Sequence, residues 1–149
     1  MMERTLVLCK PDAVQRGLVG RVISRFEDAG LKIIGLKMVW ADKDIALQHY
    51  TEDLAKRRGQ KVRDLMTEFI RKGPVVAFCL EGISAIAVVR KMVGETEPKA
   101  ALPGTIRGDL AHVSFLSADQ KNKAVPNLVH ASGNAEDAQR EIKVWFTAS

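Results

Sequence analysis

The chain has 149 residues, 46% of them hydrophobic and 28% charged, the size of one domain that buries about two-thirds of its unfolded surface without disulfides or a structural metal. Its net charge of +5 comes from 23 Lys and Arg against 18 Asp and Glu, mixed usage rather than a basic tail, which favours polyanionic ligands without separating nucleotides from nucleic acid. No apolar run approaches the roughly 18 residues of a membrane span and no basic-then-apolar leader opens the sequence, so a cytoplasmic protein with no membrane partner is expected.

Glu3 to Lys10 reads as a strand with alternating side chains. Val19, Val22, Ile23 and Phe26 then recur at helical spacing until Gly30, and Leu31 to Trp40 returns to an extended pattern. Asp42 is a good N-cap for a helix through Ala46, Leu47 and Tyr50. The basic stretch Leu54 to Lys61 reads as a solvated face or loop, and Val62, Leu65, Met66, Phe69 and Ile70 form a second apolar stripe stopped by Gly73-Pro74. Val75 to Leu80 is a continuous apolar run, hence a buried strand, and Ser84 is placed to cap a helix carrying Ile86, Val89, Met92 and Val93 before Gly94. Leu110 to Pro126 is the least regular region, with Ser117 to Lys123 expected as an exposed loop. A strand around Leu128 to Ala131 and a helix from about Asn134 to Trp145 complete the order. Two strand-helix-strand halves result, which predicts a single α+β domain over 1–149: a ferredoxin-like sandwich with a four-stranded antiparallel sheet and helices covering it.

Cys9 and Cys79 lie inside apolar runs with no CxxC or His/Cys cluster beside them, the pattern of buried thiols in a reducing compartment. There is no GxxxxGK[ST] loop and no GxGxxG after a strand, so neither a P-loop nor a Rossmann cofactor site is indicated. His130, in Asn127-Leu128-Val129-His130-Ala131-Ser132-Gly133, is the candidate nucleophile. A neutral imidazole attacks phosphorus without first losing a proton to a strong base. By itself a lone histidine beside apolar residues is more often structural, and His49 and His112 are read that way, as structural or solvated.

The surrounding blocks change the weighting. Arg4 to Ala13, Gln15 to Gly20, Gly73-Pro74-Val75-Val76-Ala77, Arg90 to Thr96, Pro103-Gly104-Thr105-Ile106-Arg107-Gly108-Asp109, the His130 segment and Glu141 to Phe146 together resemble, in order and from end to end, the signature of nucleoside diphosphate kinases. The resemblance implies the same ferredoxin-like architecture and a ping-pong transfer of the terminal phosphoryl group from a nucleoside triphosphate to a nucleoside diphosphate through phosphohistidine on His130. It implies that Glu141 orients the imidazole, Ser132 supports that glutamate, Tyr50 lies near the histidine, and Arg90, Thr96 and Arg107 bind phosphates. Lys10 corresponds to a lysine near ribose and phosphate, and Asn127 to an asparagine bonding a sugar hydroxyl. Mg2+ is expected to travel on the nucleotide phosphates, with no metal held by the protein itself.

Four departures stand out. The stretches 54–61 and 110–126 look longer than their family counterparts, and Gly133 replaces an acidic residue. The usual aromatic platform under the nucleobase aligns with Val62, so an aliphatic clamp is expected, with Met66 as its second wall or an unaligned side chain in its place. The family's habit implies a homo-oligomer, a hexamer ahead of a tetramer or dimer. Binding of nucleic acid through Lys56, Arg57, Arg58, Lys61 and Arg63 is the alternative of a different class, secondary to the kinase reading.

Overall fold

The computed structural model describes residues 1–146. Four strands, β1 (Met2–Cys9), β2 (Lys32–Val39), β3 (Val75–Ile83) and β4 (Val129–Ala131), form one sheet in the order β2-β3-β1-β4. Every neighbouring pair is antiparallel. That is the predicted ferredoxin-like α+β arrangement, with β1 and β3 in the centre.

Helices cover both faces. Val7, Cys9, Val76, Phe78 and Leu80 point to one side, where they pack with Val22 and Phe26 of α2 (Val19–Asp28) and Val89 of α6 (Ala85–Val93). Leu6, Leu8, Val75 and Ala77 point to the other, against α3 (Lys43–His49), α5 (Gln60–Ile70) and Trp145 of α9 (Ala135–Phe146). Alternation along β1 therefore feeds two cores, which is why Leu6 to Cys9 is an unbroken apolar run. β1 pairs Leu8 with His130 and Cys9 with Val129, so the candidate nucleophile rides a short strand fixed to the buried end of a central one. The two cysteines are buried free thiols.

Asp42 caps α3 as expected, its carboxylate accepting from the Ile45 N–H at 2.8 Å. Other elements differ from the sequence reading. Ser84 does stand at the start of α6, but in a left-handed conformation whose hydroxyl makes no capping bond. Glu3 of β1 accepts from the Ile86 N–H instead, at 3.2 Å. The stretch read as a solvated face or loop from Leu54 is mostly α4 (Glu52–Arg58), which buries Leu54 and stops at Gly59, φ +99°. Three helices, not two, thus connect β2 to β3. The expected loop from Ser117 to Lys123 is helical as far as Gln120, in α8 (Phe115–Gln120). Its start carries a capping box, the Ser114 and Ser117 side chains each accepting from the other's backbone N–H. Two further short helices, α1 (Pro11–Gln15) and α7 (Ile106–Leu110), bracket the site described next.

Of the basic residues near α4, Lys56, Arg57, Arg58 and Lys61 are exposed. Arg57 pairs with Asp53, whereas Arg63 is turned inward, donating to the Tyr50 carbonyl at 2.7 Å. No helix among the described residues is long and apolar enough to cross a membrane.

Candidate active site

The imidazole of His130 meets the carboxylate of Glu141, Nε2 to Oε1, at 2.7 Å. Glu141 projects from α9 and is almost fully buried, whereas the His130 side chain keeps 22% of its surface exposed. The same Oε1 accepts from the Ser132 hydroxyl at 2.7 Å, and Oε2 receives Arg140 at 3.3 Å. Burial opposes ionisation of Glu141, but the charge and hydrogen bond of His130, with help from His49 and Ser132, outweigh it and hold the carboxyl at about 2. An ionised carboxylate only accepts, so Nε2 of His130 faces it with its N–H, and in the neutral form of the ring the lone pair lies on Nδ1.

His49 was read from sequence as structural or solvated. It is buried, and its ring stands edge-on to that of His130 with centroids 4.4 Å apart. The Trp145 indole N–H donates to its Nδ1 at 3.1 Å, which requires that nitrogen to be unprotonated. Burial first, then the neighbouring His130, push its pKa well below the usual value, so His49 is a neutral wall behind the nucleophile. The available signal was its adjacency to Tyr50, already assigned to the histidine's surroundings. His112, by contrast, is exposed.

The cationic groups lie around Asn127. Lys10, at the end of β1, is buried with its ammonium 5.7 Å above the Phe69 ring. Burial, reinforced by Arg107 and opposed by Asp12, lowers its pKa to about 8. Arg107 on α7 is also buried, and its guanidinium donates to three carbonyls: Asn127 at 3.2 Å, Gly94 at 3.0 Å and Val129 at 2.6 Å. Three of its five N–H groups are thus taken and two remain. This close approach depends on glycine twice. A Cβ on Gly94, φ +90°, would lie 2.6 Å from the Thr105 hydroxyl, and one on Gly108 would lie 2.0 Å from the Leu102 carbonyl oxygen. Asn127 donates to the Thr96 carbonyl at 2.8 Å, while its buried Oδ1 has no hydrogen-bond partner among the described residues.

A cleft opens beside these groups. Lys10, Tyr50, Thr96 and Asn127 all line it. Thr96 also borders a second, shallower depression with Arg90 and Gly94. Arg90 is otherwise exposed, with one long 3.4 Å contact to the Ala131 carbonyl. Val62 and Met66 line the cleft, but they stand one turn apart on α5 and share a wall, which corrects the expectation that Met66 opposes Val62. The rest of the lining comes from Arg58 of α4, Leu65 and Phe69 of α5, and α8 with the segment after it.

Among the described residues, His49, His130 and Glu141 form a group with metal-ligand chemistry, their ligating atoms within 4.8 Å of one another. Its carboxylate is already shared by His130, Ser132 and Arg140, and one nitrogen of His49 is held by Trp145. The donor set suits an oriented imidazole better than a cation cage.

Comparison with known proteins matches residues 3–149 to the family model for nucleoside diphosphate kinase. The chain belongs to the nucleoside diphosphate kinase family. It is 46% identical to the Borreliella burgdorferi nucleoside diphosphate kinase over 98% of this chain and 88% of that protein. It is 51% identical to the one from Pyrococcus abyssi, over 97% and 84% respectively. Among solved structures it resembles the Borrelia burgdorferi enzyme with bound vanadate and ADP, a transition-state mimic, with TM-score 0.96 and the same 46% identity, covering 98% of this chain and 88% of that one. It also resembles the NDP kinase from Pyrobaculum aerophilum, at TM-score 0.89 and 36% identity over 98% and 96%. As a member of this family the chain is a nucleotide phosphotransferase, and its four-stranded sheet is the family's fold.

Proposed function

We propose that His130 is the phosphoryl carrier of a nucleoside diphosphate kinase that works in two half-reactions. The observation that carries this reading is the 2.7 Å bond from His130 Nε2 to a buried, ionised Glu141, beside a cleft lined by Lys10 and Asn127. In the first half-reaction the Nδ1 lone pair attacks the terminal phosphorus of a nucleoside triphosphate. The bond to the bridging oxygen breaks, and the diphosphate leaves with that electron pair. The ring that now bears phosphorus is cationic, and the proton on Nε2 stays hydrogen-bonded to Glu141, which stabilises it. In the second half-reaction a terminal oxygen of another nucleoside diphosphate attacks, and Nδ1 recovers its lone pair.

Arg90, Thr96 and the two unused N–H groups of Arg107 follow the phosphate oxygens as charge redistributes. Lys10 and the orphan Oδ1 of Asn127 take the ribose hydroxyls and nearby phosphate. Tyr50, whose phenol burial keeps protonated, closes the inner end of the cleft. Mg2+ enters as the nucleotide complex. Two buried thiols accord with a reducing cytoplasm as the place of action. The test is incubation with Mg2+ and terminally labelled ATP without acceptor. An acid-labile, alkali-stable phosphoprotein that any nucleoside diphosphate discharges is the expected product, and its absence from folded, nucleotide-binding protein overturns the reading.

The depressed Lys10 adds a proton signature. At about pH 9 the empty site holds Lys10 largely neutral, because its pKa is about 8; an incoming phosphate favours the ammonium, so binding takes up a proton. Near pH 7 Lys10 is already charged and contributes no uptake. Calorimetry of ADP binding in two buffers of different ionisation enthalpy should show close to one proton taken up at the higher pH in the wild type and none in Lys10→Met. Equal uptake by both proteins would remove Lys10 from the phosphate's surroundings.

The working unit is read as a homo-oligomer, a hexamer by family habit, assembled in part through β2. That strand is a sheet edge, and Leu36, Met38 and Trp40 on one of its faces are 54%, 62% and 63% exposed. Large apolar side chains at alternate positions on an unpaired edge call for a cover, and a second copy offers the same edge in return. Met38→Lys is expected to shift the particle from a multiple of 16.4 kDa toward the monomer by light scattering. A wild-type protein that scatters as a monomer at micromolar concentration contradicts the assignment.

A further inference from the structure

We propose that α8 supplies the aromatic face against which the nucleobase stacks, with Phe115 doing what the aliphatic Val62 cannot. The inference rests on the nucleotide reading of the cleft given above. Three aromatic rings line that cleft among the described residues: Tyr50, Phe69 and Phe115. Tyr50 is buried and packed edge-on against His49, and Phe69 sits beneath the Lys10 ammonium. Both belong to the phosphate end. Phe115 alone remains at the mouth, on a different element from Val62 and Met66, and is 37% exposed.

An exposed phenylalanine on a wandering loop would carry little weight, but this one is held. Its backbone N–H donates to the Glu97 carboxylate at 2.8 Å, and it begins a helix closed by the reciprocal Ser114 and Ser117 capping bonds. Ala118 is buried beneath the same helix. Phe115, Ala118 and Asp119 fall on one helical face by their spacing, and all three border the cleft. Asp119 and, after the helix, Lys123 put an acceptor and a donor on the rim that the ring forms. A flat, apolar ring flanked by hydrogen-bonding groups, on a cleft that also carries the aliphatic Val62 and Met66, is the chemistry that holds a heteroaromatic base. The segment from 110 to 126, unusually long by comparison with the family pattern, thereby acquires a role in substrate grip.

The experiment compares equilibrium binding of ADP and of ribose 5-diphosphate, which lacks the base, by calorimetry on wild type, Phe115→Ala and Phe115→Tyr. Phe115→Ala is expected to weaken ADP roughly 5- to 100-fold and to leave ribose 5-diphosphate within about twofold. Phe115→Tyr should restore ADP binding. Unchanged ADP affinity in Phe115→Ala overturns the proposal. So does an equal loss for both ligands, which would mean that the ring merely supports the loop. Failure of wild type to form phosphoenzyme would strike the kinase reading, while the binding comparison would still decide the role of Phe115.

Discussion

Replacing His130 by alanine is expected to lower phosphoryl transfer by at least about 10⁴-fold and to abolish the phosphoenzyme, because among the described residues no other imidazole is hydrogen-bonded to a buried carboxylate. Lys10 is buried between Asp12 and Arg107, without the orienting carboxylate that holds His130, and Tyr50 remains a neutral phenol. His49 comes within reach of the same space, but its Nδ1 is occupied by Trp145 and its ring is walled in. Alanine also removes one partner of Glu141, so His130→Gln serves as the companion: its amide can donate to Oε1, preserving the packing without supplying a nucleophilic nitrogen. Both variants should bind ADP within a few-fold of wild type while carrying no label. Transfer within tenfold of the wild-type rate in either variant would mean that the carrier lies elsewhere.

Arg107→Ala should produce the largest loss of stability. The guanidinium, carried by α7, joins the Gly94 carbonyl after α6 to the carbonyls of Asn127 and Val129 on the segment that forms β4. Hydrogen bonds from a charged donor contribute about 1.5 to 3 kcal/mol each and are not additive, so a net loss of about 3 to 5 kcal/mol is reasonable for the set. At this chain length that corresponds to a melting point lower by roughly 6 to 20 °C. Burial and the nearby Arg90 lower the Arg107 pKa only to about 10, so the group is charged at neutral pH and its removal also takes a cation from the phosphates. Arg107→Lys separates the two roles. A lysine keeps the charge but lacks the planar fork, so it should recover part of the nucleotide affinity and little of the melting temperature. A melting point for Arg107→Ala within about 2 °C of wild type would show the three bonds to be incidental.

The sheet and its long helices were legible in the sequence because their burial is periodic. β1, β2 and β3 announce themselves by alternation or by unbroken apolar runs, and α2 by a stripe four residues wide. The short helices were not. α4 buries only Leu54 and α8 only Ala118, so neither leaves a stripe to read, and their stability comes from a terminating glycine in one case and a capping box in the other. For the candidate site, the resemblance named His130, Glu141, Ser132 and the cationic residues, and these do gather at the ends of β1 and β4. What it could not convey was contact between distant segments. Residues 49, 130 and 145 meet only after three elements pack, and Arg107, which by type alone points to an anion, is also a strut because α7 aims it at carbonyls. Val62 and Met66 were assigned opposite walls because a sequence alignment gives positions, whereas their shared wall follows from one turn of α5.

The dependence of the nucleophile on α9 has a consequence for biosynthesis. Every strand of the sheet has been made by the time the ribosome passes Ala131, yet Glu141, which aims the imidazole, and Trp145, which fixes the ring behind it, are translated later. The strands and the groups that aim the imidazole are thus encoded in separate stretches, and on the proposed reading His130 is oriented by the docking of α9 rather than by the formation of the sheet.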